Sequence, residues 1–372
     1  MLQQHEYHEQ VFIPQQYGFR YQHSTTHQIM RLTKTISLNF NKDLSTGMVL
    51  LDIEKAFDSV WHDAILHKLN KYKYPIFIIK IIQSFLNERK SFVQVNKANS
   101  ELYDLIAGVP QGSLLSPHLF NIFINDIPKP KSCKLALYAD DSALIASSFN
   151  PRSLPHLCQK LSNGLIELKN FFDRWKIKLN SSKTEAILFT HSIIMERSKE
   201  TSQINFNNQL LPWNQQVRYL GVILDKKLLF KQNIDYNITK SKKAMALIYP
   251  LLRKNSFLNV KTKKILYTAY VRSILTYACP VFSNCAKTHI QRLQVLQNKN
   301  LRMVLSAPYS TRIAELHEQL EIPSIHDFIA KLTDRFYNQS VNSVNIFISN
   351  LNDYSGNVIN FRIKHRLPKK II

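Results

Sequence analysis

Leu135-Ala136-Leu137-Tyr138-Ala139-Asp140-Asp141-Ser142-Ala143-Leu144-Ile145-Ala146 sets two adjacent carboxylates between two apolar runs. Each run has the length and bulk of a strand, and the centre reads as a tight turn. The segment therefore predicts a hairpin with Asp140 and Asp141 at its tip. A bound divalent cation would neutralise that concentrated charge, and hard oxygen ligands suit Mg2+. The competing reading is an ordinary hairpin whose Asp-Asp pair is a solvated turn, because Asp is a common turn residue.

Upstream, Gly47-Met48-Val49-Leu50-Leu51-Asp52-Ile53 is a second short apolar run, read as a buried strand that delivers another carboxylate. A strand ending at Asp52 beside the Asp140-Asp141 hairpin would bring three carboxylates to one face. Such a group can hold two Mg2+ ions about 3.5–4 Å apart and serve an in-line phosphoryl displacement.

Composition favours a polyanionic partner. The 372 residues carry 49 Lys+Arg against 26 Asp+Glu, a formal net charge of +23. Residues 226 to 306 hold 16 Lys/Arg and one acidic residue, Asp235, so +15 of the excess lies there. A hydrophobic content of 45% excludes a disordered chain. The most apolar run, Tyr74 to Leu86, is interrupted by Lys80 and too short to span a bilayer, so no membrane partner is expected. Cys133, Cys158, Cys279 and Cys285 lack a zinc spacing and read as reduced thiols. Met1 to Gln10 has no secretory pattern, so an intracellular protein is expected, in nucleus or cytoplasm.

Periodicity predicts helices from Ile29 to Phe40 (capped by Ser24 or Thr25), near His62 to Asn70, and over about Pro75 to Asn87. Ser91 to Val95 and Leu102 to Ile106 read as a hairpin around residues 96–99. Gly108 to Pro117 reads as a loop, with Ser116 capping a helix that runs to about Asp126. Ser153 to Lys176 is a long amphipathic helix, and strands are expected at Thr184 to Phe189, Ile204 to Trp213 and Val217 to Leu224. Glu54 and Asp58 read as helix-start residues. Three basic helices follow, at about 232–253, 258–276 and 288–306. One further helical region, about 310–339, precedes a basic tail from Arg362.

Six motifs stand in one order: Gln16-Tyr17-Gly18-Phe19-Arg20, Leu51-Asp52-Ile53-Glu54-Lys55-Ala56-Phe57-Asp58, Gly108-Val109-Pro110-Gln111-Gly112-Ser113, Tyr138-Ala139-Asp140-Asp141, Leu179-Asn180-Ser181-Ser182-Lys183-Thr184-Glu185 and Arg218-Tyr219-Leu220-Gly221-Val222. As a set they resemble the reverse transcriptases of non-LTR retrotransposons, most like the jockey and CR1 type. The resemblance covers about residues 13 to 225. Gln294 to Ala307 also resembles the thumb side of such proteins.

The resemblance implies an α/β right-hand polymerase: partial fingers at 1–48, a palm with inserted finger elements at 49–225, a basic helical thumb at 226–308 and a helical carboxy-terminal region at 309–372. It implies RNA-templated DNA synthesis on a DNA primer from dNTPs, with Mg2+ and alternatively Mn2+ as cofactor. Asp52, Asp140 and Asp141 match the metal-binding carboxylates. Phe57 matches a steric gate against a ribose 2′-OH, which disfavours an RNA-templated RNA polymerase. Gln111 and Gly112 match a nucleotide-binding loop, Lys183 a lysine near the pyrophosphate leaving group, and Arg20 a substrate-binding position. Arg218, Tyr219, Leu220 and Gly221 match the primer grip.

Each assignment has a plain alternative: Phe57 as core, Gln111 as a polar loop residue, Lys183 as a solvated lysine, Arg20 paired with a local carboxylate. The family's upstream Lys-Pro and Arg-Pro-Ile finger motifs do not occur, nor do its endonuclease and its Cys/His knuckle. The expectation is an amino-terminally truncated copy that polymerises poorly for want of charge-assisted triphosphate contacts. The alternative function is a catalytically impaired remnant that only binds nucleic acid. Oligomeric state stays open.

Overall fold

A computed structural model of the chain describes residues 11–148 and 153–352, so the tail from Arg362 and Met1 to Gln10 lie outside the described residues. The class is mixed α/β. The chain divides into two compact units. One comprises Met1–Gln28, Leu44–Leu188 and Ser192–Asn214, the other Ile29–Asp43, Phe189–His191 and Gln215–Ile372. Helix α1, Thr25–Phe40, is opened by Ser24, whose Oγ accepts the His27 amide at 3.2 Å.

The first unit is organised on a five-stranded sheet. Thr46–Leu51 (β1), Lys134–Tyr138 (β2), Asp141–Ser147 (β3), Glu185–Phe189 (β4) and Trp213–Asn214 (β5) lie in the order β5-β4-β1-β3-β2. All six residues of β1 are buried, which is why its sequence runs apolar without alternation. β3 pairs antiparallel with both β1 and β2. Helices His62–Lys71 (α2), Ile76–Leu86 (α3), Ser116–Ile124 (α4) and Leu154–Arg174 (α5) belong to the same unit, as does a hairpin of Ile204–Phe206 with Gln209–Leu211. Leu157, Leu161, Leu165, Leu168 and Phe172 of α5 are buried at the expected spacing and share one core with Val49, Leu51, Leu135, Leu137 and Leu144. Burying each such side chain is worth about 1.5–3 kcal/mol.

One charge lies inside this core. Lys68 of α2 is fully buried; its Nζ donates to Asp126 at 2.6 Å and to the Phe123 carbonyl, and stands 3.8 Å from the Trp175 ring centre. Asp126 also pairs with Lys71 at 3.2 Å. Burial pushes the Lys68 ammonium down to about 8, against the Asp126 hydrogen bond and charge, which raise it.

Three local expectations are corrected. The residue 90–104 excursion forms two small ladders, Lys90–Ser91 with Tyr103–Asp104 and Gln94–Val95 with Ala98–Asn99. Its turn narrows to Asn96-Lys97, because Asn96 takes the left-handed conformation that Asn tolerates (φ 56°). Ser116 does not cap α4; its Oγ donates to the Pro110 carbonyl at 2.6 Å instead. The predicted helical region at 310–339 breaks into two helices at Glu321 (φ 47°), before Pro323, and Ser324 caps the second through the Asp327 amide at 3.1 Å.

The second unit contains a hairpin of Gln216–Tyr219 (β6) and Val222–Asp225 (β7), then Lys231–Leu252 (α6), Val260–Leu266 (α7), Lys287–Leu305 (α8), Ile313–Leu320 (α9) and Ile325–Val341 (α10). The middle basic helix continues through a wide π turn, Tyr267–Arg272, into Ser273–Leu275. A short helix at Cys279–Phe282, too brief to give a periodic signal, is additional. The polar positions of Gln294-Val295-Leu296-Gln297-Asn298 point inward. Gln294 accepts the Ile325 amide (2.7 Å), Gln297 accepts the Tyr267 hydroxyl (3.0 Å) and donates to the Pro323 carbonyl (2.9 Å), and Asn298 meets His317 Nε2 at 3.1 Å. They satisfy the backbone where the chain turns between α9 and α10.

Candidate active site

Tyr138 and Asp141 form the last pair of the β2–β3 ladder, so Ala139 and Asp140 make a two-residue loop and Asp141 opens the returning strand. Ala139 is held at φ 55°, an unfavourable conformation for a residue with a Cβ. The Gln16 side chain stabilises it: Oε1 accepts the Ala139 amide at 3.0 Å and the Gly18 amide at 2.8 Å. Alongside, the Tyr17 amide donates to the Leu137 carbonyl (2.9 Å) and the Leu137 amide to the Gln15 carbonyl (3.1 Å). Gln16-Tyr17-Gly18 is thus a bracket along the free edge of β2.

Gly18 is required by closeness, since a Cβ there would lie 2.3 Å from the Ala139 nitrogen. Gly18→Ala is therefore expected to displace Asp140 and to lower any carboxylate-dependent activity at least about tenfold, together with the melting temperature. Parallel activity and melting assays check this; an unperturbed variant would show that the bracket is dispensable. Arg20 serves the same loop, its Nη1 donating to the carbonyls of Ile13 (3.0 Å) and Gln16 (3.1 Å).

Asp52 follows β1 directly. The β1–β3 register ends at Leu51↔Ser142, and its continuation sets Asp52 abreast of Asp141. The Asp52 carbonyl accepts the Asn180 amide at 2.9 Å. The Asn180 side chain in turn accepts the Ser182 and Lys183 amides (3.1 and 3.3 Å), winding Ser181–Lys183 into a 3-10 turn. That turn presents Lys183 Nζ 3.8 Å from Asp52 Oδ2.

Asp141 reports the local field. Although solvent reaches it, partial desolvation first, then the charges of Asp140 and Asp52, push its carboxyl up to about 6. Asp141 therefore lies in the negative field of Asp140 and Asp52. The donor set of the three, carboxylate oxygen alone, fits a hard divalent cation such as Mg2+. Among the described residues, however, no three Asp, Glu, His or Cys side chains are gathered closely enough to enclose a metal ion. The expected convergence is one of register, not a closed cage. Like charges repel, and Asp52 is drawn towards Lys183.

Phe57 is half-buried, its ring centre 5.2 Å from that of Phe120 on α4. The Gly108–Gly112 loop is joined to the segment that carries it. The Gly108 amide donates to the Val60 carbonyl and the Val109 amide to the Phe57 carbonyl, both at 2.8 Å. The Gly108 carbonyl accepts Arg89 Nη1 (2.7 Å) and faces His62 Nε2 (2.8 Å). Gln111 is exposed and donates to Asp58 at 3.0 Å, while Gly112 takes φ 89° in open space. Asp58 lies in a turn before α2 and accepts Gln111, contrary to its helix-start reading.

Comparison with known proteins supplies the identity. Residues 1–224 match the family model described as reverse transcriptase (RNA-dependent DNA polymerase), more than half of the 372 residues. The chain belongs to the reverse transcriptase family. It is 33% identical over 333 residues to the probable RNA-directed DNA polymerase from transposon BS of Drosophila melanogaster, covering 86% of this chain and 36% of that protein. It is 28% identical over 330 residues to the RNA-directed DNA polymerase from mobile element jockey of the same species, covering 86% and 35%. The chain spans about a third of the length of these curated relatives. Apo telomerase from Candida tropicalis aligns over 94% of this chain and 60% of its own, at 12% identity and a TM-score of 0.45. Reverse transcriptases use divalent metal ions, consistent with the oxygen-only donor set.

Within the second unit, Arg218, Tyr219, Leu220 and Gly221 form the closed end of the β6–β7 hairpin. Leu220 (φ 46°) and Gly221 (φ 83°) make the loop, and the Tyr277 hydroxyl donates to the Leu220 carbonyl at 2.9 Å. Arg218 stands 5.1 Å from the Tyr236 ring centre, and Tyr219 is buried. At the hairpin's open end Asp225 holds the turn that follows, accepting the amides of Lys227 (3.1 Å), Leu229 (3.0 Å) and Phe230 (2.7 Å). Among the described residues no helix is long and apolar enough to cross a membrane.

Sequence reasoning did not assign functions to Gln16, Asn180 or Asp58. All three stand inside quoted motifs, so motif membership was the available signal; the side-chain contacts supply the reasons.

Proposed function

We propose that this chain is the RNA-directed DNA polymerase of a non-LTR retrotransposon, joining a dNTP to the 3′-OH of a DNA primer on an RNA template. The observation that carries the reading is the β1–β3 register, which ends at Leu51↔Ser142 and brings Asp52 beside the Asp140-Asp141 tip, where desolvation first and then the charges of Asp140 and Asp52 raise the Asp141 carboxyl. Asp52, Asp140 and Asp141 would hold Mg2+, or Mn2+ in its place. When bound, such ions activate the attacking hydroxyl and stabilise the leaving oxygen of an in-line displacement.

The protein side of the reaction belongs to named groups. Lys183, beside Asp52, presents an ammonium that can balance negative charge and hold a proton near a departing pyrophosphate. Phe57 would border the sugar of an incoming nucleotide, and Gln111 and Gly112 lie on the loop whose Val109 amide bonds the Phe57 carbonyl. Arg20 holds its own loop through the Ile13 and Gln16 carbonyls, and from there would support the hairpin tip beside the substrate. Arg218 to Gly221 would meet the primer. Residues 49–225 act as palm, 1–48 as partial fingers and 226–308 as a basic thumb gripping the phosphate backbone without reading sequence.

Primer extension on poly(rA)/oligo(dT) with Mg2+ tests the reading. Incorporation of dTMP supports it. RNA–DNA binding with a steep salt slope but no incorporation would favour the binding-only remnant. Phe57→Ala is expected to admit ribonucleotides, lowering the preference for dTTP over UTP by at least about tenfold; unchanged sugar preference would remove Phe57 from this role.

A further inference from the structure

The Pro110-Gln111-Gly112 loop and the Phe57-Asp58 segment are tied together at several points. The Phe57 and Val60 carbonyls accept the Val109 and Gly108 amides. Gly108, at φ 88°, lies against the Asp58 backbone: a Cβ there would meet the Asp58 oxygen at 2.8 Å and its Cα at 2.9 Å. Ser116 holds the Pro110 carbonyl, from the helix whose Phe120 ring packs on Phe57. At the end of this set of contacts, the Gln111 amide donates to the Asp58 carboxylate at 3.0 Å.

A Gln side chain has three rotatable bonds and, on an exposed loop, no preferred direction. A carboxylate acceptor adjacent in sequence to the sugar-facing residue gives it one. It fixes Nε2 on Asp58, so Oε1 is turned away from Asp58. We infer that Asp58 is a positioning residue for nucleotide selection, holding the Gln111 amide in register with the Phe57 ring through the Gln111–Asp58 hydrogen bond. The inference rests on the polymerase reading. It assigns Asp58 no contact with the reacting atoms. Its consequence is that sugar discrimination depends jointly on a ring and on a hydrogen bond beside it.

The test is steady-state incorporation by the whole chain on poly(rA)/oligo(dT), with dTTP and UTP, for wild type, Asp58→Ala, Asp58→Asn and Gln111→Ala. Equilibrium dTTP binding to the enzyme–primer–template complex is measured alongside. Loss of one charge-assisted hydrogen bond is expected to raise the dTTP KM and Kd about five- to tenfold in Asp58→Ala. kcat should stay within about twofold, the melting temperature should not move, and dTTP preference should fall. Asp58→Asn, which keeps an acceptor oxygen, is expected to recover most of the KM. Asp58→Ala added to Gln111→Ala should raise KM no further, since the shared bond is already gone.

Three results would overturn the inference: wild-type KM and sugar preference in Asp58→Ala, strictly additive effects of the two alanines, or a kcat loss that tracks a fall in melting temperature. A wild-type chain that neither incorporates nor binds dTTP would overturn the polymerase reading itself, and this inference with it.

Discussion

Asp141→Asn is expected to lower nucleotide incorporation by at least about a thousandfold while leaving the fold as stable as wild type or more so. The activity loss follows from removing a carboxylate that would hold the metal, whose transition-state stabilisation is worth several kcal/mol. The stability direction follows from the local field. In the folded chain the Asp141 carboxyl is raised to about 6, from its usual value near 3.8, by desolvation and by Asp140 and Asp52. Above pH 6 its ionisation works against folding, and that opposition fades as pH falls from 6 towards 3.8. A neutral amide removes the opposition at all pH. Incorporation assays beside urea unfolding at pH 7.5 check both halves. A variant that is inactive only because it is unfolded would contradict the account, as would one that retains activity.

Asp126→Ala is expected to cost about 3–5 kcal/mol, a large part of the 5–15 kcal/mol typical of a domain. Lys68 is fully buried, and Asp126 is the carboxylate on its ammonium. Without Asp126 the charge is left with the Phe123 carbonyl and the faces of Trp175, Phe123 and Phe171. Those faces attract a cation but do not replace an anion. The chain can limit the cost by releasing the proton, because Lys68 is already lowered to about 8 from 10.5.

The same shift fixes the sign of a pH effect in wild type. Below about pH 8 Lys68 is protonated in both folded and unfolded chains, and the cost of its burial is fully present. Between 8 and 10.5 the folded chain loses the proton first, so this group's contribution to stability improves as pH rises. Lys68→Met should remove that slope. Urea midpoints at pH 7.5 and 9.5 for the three proteins read it out, and identical slopes in wild type and Lys68→Met would contradict the assignment.

The strands and carboxylates were legible because each rests on local pattern. Six buried residues in a row made β1 readable, and two apolar runs around Asp140-Asp141 made the hairpin readable. The helix of Leu157, Leu161, Leu165, Leu168 and Phe172 declared itself by spacing. What stayed hidden acts through single polar side chains across long stretches of chain. Gln16 supports Ala139 from 123 positions away, and Gln111 finds Asp58 across 53. No periodicity encodes such pairs. Ser116 looked like a helix cap because Ser-Pro suits one, but the Pro110 carbonyl is a nearer acceptor for its hydroxyl. The helix break at Glu321 was masked by apolar residues whose spacing runs on through it, Leu316, Leu320 and Ile325 all being buried. The contacts that tie α8 to its neighbours came from Gln294, Gln297 and Asn298, polar residues that composition alone would place outside.

Asp52, Asp140 and Asp141 are proposed to form the metal site together. Mn2+ titration followed by electron paramagnetic resonance, in the presence of primer–template and dTTP, tests it most directly. Wild type is expected to take up protein-bound Mn2+, and Asp52→Asn and Asp141→Asn, both folded, are expected to lose it. Folded variants that bind Mn2+ as wild type does would show that these carboxylates are not its ligands.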